Sequence, residues 1–117
     1  MHQVNIAIVG LGKIGTFFLN QLIQRSNLGL SILCASEPND TEGKALAKDN
    51  GIVLVDLDTM ISFGEDVDFI FNLTGSESVQ IELQEKLKLS GNTKTELISE
   101  RTLQVVWTML TDEGIPD

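Results

Sequence analysis

The sequence predicts a single α/β domain built on a doubly wound, parallel five-stranded sheet of strand order 3-2-1-4-5. Three observations carry that expectation. Short apolar runs rich in β-branched residues alternate along the chain with segments of helical periodicity. The run from Val67 to Leu73 is flanked by acids and almost wholly apolar inside, which suits a strand buried on both faces of a parallel sheet. The first apolar run passes directly through Gly10-Leu11-Gly12-Lys13-Ile14-Gly15 into an amphipathic segment.

That first unit organises the rest. Val4-Asn5-Ile6-Ala7-Ile8-Val9 reads as a buried strand, and Ile14, Phe17, Phe18, Leu22 and Ile23 describe one face of a helix. Strand, glycine turn and helix form the context that gives a G-x-G-x-x-G its meaning. Gly10 is expected to turn the chain out of the strand, Gly12 to let a pyrophosphate approach the backbone, and Gly15 to let helix and strand pack closely. Free N–H groups at the helix start would then meet the phosphates.

The second strand, Ser31-Ile32-Leu33-Cys34-Ala35-Ser36, ends at Glu37. An acid at that tip is placed to accept hydrogen bonds from the 2′- and 3′-hydroxyls of an adenosine ribose, and it repels a 2′-phosphate. The expected cofactor is therefore NAD rather than NADP.

Pro38-Asn39-Asp40 reads as a turn and Thr41 as the N-cap of a short helix through Ala45, Leu46 and Ala47, ended by Asn50-Gly51. Ile52-Val53-Leu54-Val55 is the expected third strand. Asp58 or Thr59 is expected to open a short helix carrying Met60, Ile61 and Phe63 to Gly64.

After the fourth strand comes Thr74-Gly75-Ser76, with Ser76 capping a helix that displays Val79, Leu83 and Leu87. Glu82, Glu85, Lys86 and Lys88 on its other face read as a solvated surface. Ser90-Gly91-Asn92 closes that helix, and Thr95-Glu96-Leu97-Ile98-Ser99 is the expected fifth strand. From Glu100 a last helix presents Leu103, Val106, Trp107 and Leu110 on one side and stops near Gly114 and Pro116, with Trp107 sealing it to the sheet.

In such a sheet the crevice at the carboxyl ends of strands one and four is the topological switch point. The glycine loop, Leu73-Thr74-Gly75-Ser76 and Ser99-Glu100-Arg101 converge there. Gly75 would let the chain pass close to a ligand. Thr74 and Ser76 offer hydroxyls to ribose or phosphate, and serve equally as turn and cap. Lys13 and Thr16 lie at the helix start, near the pyrophosphate, although Lys13 reads as well as a solvated side chain. The candidate cofactor-binding residues are thus Gly10, Gly12, Lys13, Ile14, Gly15, Glu37, Thr74, Gly75 and Ser76.

Composition narrows the function classes. One domain spanning 1–117 is long enough for a proper core and short for separate cofactor and substrate domains. A net charge of −9 with scattered basic residues argues against nucleic acid or an anionic membrane as partner. No stretch approaches the ~20 apolar residues of a membrane span, and the start lacks a signal-peptide pattern. One cysteine, Cys34, precludes an internal disulfide, and these features together suggest the cytoplasm. With His2 the sole histidine, read as a terminal residue, no zinc or nucleophile–base constellation can be assembled.

Across almost its whole length the chain resembles the NAD(P)-binding half of oxidoreductases of the glucose–fructose oxidoreductase and homoserine dehydrogenase families. The likeness runs through Val9 to Gly15, Glu37, Lys44-Ala45-Leu46-Ala47 and Val67-Asp68-Phe69-Ile70-Phe71. It implies a Rossmann-like fold and a nicotinamide cofactor. In the first family the fifth strand ends in Glu-Lys-Pro, whose lysine lies by nicotinamide and substrate; here that position reads Glu100-Arg101-Thr102. A second resemblance is to Rossmann-like modules of bacterial sensor kinases and related signalling proteins. It rests on Asn72-Leu73-Thr74-Gly75 and Val106-Trp107-Thr108-Met109-Leu110.

Hydride transfer to a hydroxy or carbonyl substrate needs a proton donor or acceptor within hydrogen-bond reach. With no tyrosine, one terminal histidine, and Lys13 and Arg101 as the cations expected near the crevice, none is evident. The expectation is a binding and regulatory module without turnover of its own, the cofactor half of a dehydrogenase being the alternative. Its last helix would report to a second copy or to a downstream signalling domain.

Overall fold

A computed structural model describes residues 3–114; His2 and Pro116 lie outside the described residues. The chain runs β1 (Val4–Val9), α1 (Lys13–Gln24), β2 (Leu30–Ser36), α2 (Glu42–Asp49), α3 (Leu57–Ser62), β3 (Phe69–Asn72), α4 (Glu77–Ser90), β4 (Glu96–Ile98) and α5 (Glu100–Thr111). All strand pairs are parallel, in the order β2-β1-β3-β4.

The sheet therefore has four strands among the described residues, not the expected five. Ile52-Val53-Leu54-Val55 does lie beside β2, outside it, where the expected order puts it, but it joins through a single bridge between Ala35 and Leu54. The Ala35 N–H donates to the Val53 carbonyl and the Val55 N–H to the Ala35 carbonyl, each at 2.9 Å. The reason lies in its ends. Gly51 turns the chain with φ of 71°, and Asp56 already opens α3, so the segment bends away after one residue of register. The other expected strands keep their relative order.

Local chemistry sets the helix starts. Thr41 accepts the Lys44 N–H at 3.0 Å, and Ser76 accepts the Val79 N–H at 3.3 Å, as their sequence positions predict. The cap of α3 is Asp56 rather than Asp58 or Thr59: its Oδ1 accepts the Thr59 N–H at 2.8 Å. That backbone hydrogen bond holds the Asp56 carboxyl below the usual carboxylate range. Starting the helix there buries Met60, which is 1% exposed, against the sheet.

Both sheet faces are covered. Ile6 and Ile8 of β1 point to the side of α1 and α5 with Phe18, Leu19, Leu103 and Trp107, whereas Ala7 and Val9 point to the side of α3 and α4 with Cys34, Met60, Ile70 and Leu83. Trp107 closes α5 onto α1: its ring lies 4.4 Å from that of Phe17, and its Nε1–H donates to the Gly114 carbonyl at 3.2 Å. Burial pushes the Cys34 thiol up to about 11, so it stays protonated at neutral pH. No described helix is long and apolar enough to cross a membrane.

Candidate functional site

The glycine loop joins β1 to α1 at the carboxyl end of the sheet. Gly10 has φ of 97°, and its N–H donates to the Ser36 carbonyl at 2.9 Å, which fixes the loop to β2. A Cβ there would stand 3.0 Å from the backbone nitrogen of Thr74. At Gly15 a Cβ would collide with the Gly10 carbonyl, so α1 and the turn touch only because the residue is glycine. Gly12 differs from both. It is the N-cap of α1, makes no side-chain cap, and has open space where a Cβ would project. The first turn of α1 thus has no side-chain cap at its N-cap residue.

Three contacts not legible in the sequence hold this loop. Gly43 of α2 lies so close that a Cβ would meet the Thr16 hydroxyl and the Leu11 carbonyl. Thr16, expected near a pyrophosphate, instead donates its hydroxyl to the Leu11 carbonyl at 3.2 Å. Glu37 reaches the same loop: Oε1 accepts the Leu11 N–H at 2.8 Å and Oε2 the Asn39 N–H at 3.1 Å. The acid at the strand tip is therefore a tie across the turn as well as a candidate ribose ligand.

The second loop hangs on Asn72, which is 3% exposed. Its Nδ2–H donates to Gln80 Oε1 at 2.8 Å, while its Oδ1 accepts the Thr74 hydroxyl at 2.7 Å and the Thr74 N–H at 3.2 Å. Thr74 Oγ1 in turn accepts the Ser76 N–H at 3.1 Å. The hydroxyls of Thr74 and Ser76 are thus both used in the turn and the cap. Asn72 was absent from the candidate residues; a lone amide at the end of an apolar strand is the signal that marks it. Gly75, with φ of 69°, faces the Glu100 carboxylate, 3.5 Å from where its Cβ would stand.

A crevice of about 740 Å³ opens at this end of the sheet. Of the candidate residues, Gly10, Gly12, Glu37 and Thr74 line it, joined by Lys44, Leu54, Asp56, Leu57 and Val79. Lys13, Ile14, Gly15, Gly75 and Ser76 are not in its walls. Lys13 is exposed, Ile14 packs against the core, and Gly15 is buried beneath Gly10. Neither Glu100 nor Arg101 lines it. Among the described residues no cluster of three His, Cys, Asp or Glu could hold a metal ion.

No protein-family model matches the chain, and no curated protein matches it. Solved structures do. S. aureus homoserine dehydrogenase superposes with a TM-score of 0.64 at 18% identity, over 94% of this chain and 28% of that one. Scyllo-inositol dehydrogenase from Lactobacillus casei, with bound NAD(H) and scyllo-inositol, gives 0.64 at 21% identity, over 92% of this chain and 34% of that one. RSP in complex with β-NADH gives 0.61 at 16% identity, over 95% and 61% respectively. The chain spans 28–34% of the two dehydrogenases' length. At such identities the likeness establishes a Rossmann-like fold.

Proposed function

We propose that this chain is a dinucleotide-binding module that takes NAD or NADH in the crevice, the pyrophosphate lying over Gly10 to Gly15 and the adenosine ribose against Glu37. The observation that carries the reading is Gly12. It leaves the start of α1 uncapped and unobstructed at the mouth of a 740 Å³ crevice, with a carboxylate tied to the neighbouring residue of the same loop. Gly10 and Gly12 are the residues of this loop that line the crevice, and Lys13, Ile14 and Gly15 follow them into the first turn of α1. Two of the structurally similar proteins are described with NAD(H) or β-NADH bound, which supports a nicotinamide dinucleotide.

Calorimetric titration of the chain with NAD, NADH, NADP and AMP tests this. Micromolar binding of NAD or NADH supports it, and no heat with any dinucleotide overturns it. In the same experiment Glu37→Ser is expected to narrow the margin between NAD and NADP by about tenfold, because it removes the negative charge that opposes a 2′-phosphate. An unchanged ratio would mean that Glu37 serves only to tie the loop.

Within that reading we favour a regulatory role. Thr74 lines the crevice and the next residue, Gly75, faces the Glu100 carboxylate at the first turn of α5, so a ligand that moves Thr74 bears on that helix. α5 also exposes Val105, Met109 and Leu110, a surface suited to a second copy or a downstream signalling domain. A cytoplasmic location belongs to the same proposal. The cofactor half of a dehydrogenase is the second reading, favoured by the likeness to dehydrogenases over nearly all of this chain. Turnover assays with homoserine and scyllo-inositol separate the two. Binding without turnover supports the module, and robust turnover supports the enzyme.

A further inference from the structure

The cation that the structure brings to the crevice is neither of those expected from the sequence. Lys13 and Arg101 are exposed and outside the walls, while Lys44 lines them together with Glu37, Pro38 and Asn39, and its ammonium lies 4.0 Å from Asp40, the residue after Asn39. The cause is the close approach of α2. Gly43 lets that helix press on Leu11 and Thr16, and the next residue is thereby carried to the crevice. Among the described residues, the one carboxylate within 4.0 Å of the Lys44 ammonium is Asp40, through its Oδ1, and the Asp40 side chain is fully exposed, so the pair is loose. Glu37 is in the opposite condition. Its two oxygens accept the Leu11 and Asn39 N–H groups.

An acid already satisfied by two donors and an ammonium with only a loose partner therefore line the same crevice. A compact ammonium on a flexible stem is a good point-charge partner for a phosphate monoester. We infer that Lys44 is a specificity-determining residue that admits a phosphorylated adenosine ribose, so that NADP is held as well as NAD, with the NAD preference reduced rather than absolute. This rests on the dinucleotide reading and changes its ligand class: both dinucleotides are ligands, and Glu37 and Lys44 set their ratio in opposite directions.

The test is calorimetry of NAD and NADP on the full chain in three forms: wild type, Lys44→Met and Lys44→Arg. Lys44 is only partly buried and packs no core position, so both variants keep the fold, which thermal unfolding verifies. Lys44→Met is expected to weaken NADP by about tenfold and NAD by less than about threefold, with Lys44→Arg retaining NADP. The NADP affinity of the wild type should also fall more steeply with salt than that of Lys44→Met. Equal weakening of both dinucleotides would assign Lys44 to the shared pyrophosphate and overturn the inference. So would unchanged NADP binding in Lys44→Met, or a wild type that binds NAD and not NADP. A wild type that binds neither overturns the dinucleotide reading itself, and this inference with it.

Discussion

Gly12→Val is expected to lower NAD affinity by at least about a hundredfold while leaving the fold in place. The two halves of that expectation have separate grounds. Gly12 has φ of −75° and ψ of −155°, an extended conformation that any residue adopts, and no atom lies within 4 Å of an added Cβ. It contributes no side-chain cap to α1, so none is lost. The branched side chain would, however, fill the approach to the uncapped N–H groups of α1. A pyrophosphate held away from them loses several charge-assisted hydrogen bonds, each worth about 1.5–3 kcal/mol. Calorimetry and thermal unfolding on the same preparation read both halves. Undiminished NAD binding in a folded Gly12→Val chain would remove the glycine loop from the site.

Gly15→Ala is expected to do the reverse, costing about 3 kcal/mol of stability and lowering Tm by more than about 10 °C. Its Cβ would overlap the Gly10 carbonyl oxygen and stand 2.8 Å from the carbonyl carbon, and both are backbone atoms. Neither can swing aside as a flexible side chain would. Relief requires shifting α1 outward, which loosens Phe18, Leu19 and Leu22 in the core, or moving Gly10, whose N–H bonds the Ser36 carbonyl. Denaturant unfolding of the variant measures the cost. Stability equal to wild type would mean that helix and turn do not press together as tightly as the backbone positions imply. Two glycines three residues apart in one motif thus have opposite readouts, one in affinity and one in stability.

Much of this site was legible because it is local. The G-x-G-x-x-G, the apolar strand before it and the amphipathic stretch after it form one continuous unit, and the caps at Thr41 and Ser76 act across three residues. The cap of α3 is also local, yet Asp56, Asp58 and Thr59 are all competent to cap. Choosing among them takes the burial of Met60 against the sheet, which lies outside the local sequence. The expected strand at Ile52–Val55 met the same limit. Its β-branched residues describe a strand, but an edge segment held between Gly51 and Asp56 forms only as much ladder as its neighbour leaves in register.

By itself, then, the sequence determined the parallel α/β layering, the order of the strands that form, the glycine turn and the acid at the tip of β2. Each follows from hydrophobic period, from the conformations open only to glycine, or from chain connectivity. The tertiary structure decided what each polar group does. Glu37 finds the Leu11 N–H across 26 residues, Thr16 turns to the loop carbonyl, and Asn72 takes up the Thr74 hydroxyl. Lys44 enters the crevice because Gly43, the residue before it in α2, lacks a side chain at the point of contact with Leu11 and Thr16. Periodicity along the chain reports which face of an element is apolar. Which donor meets which acceptor depends on distances between elements, and those exist only once the layers have packed.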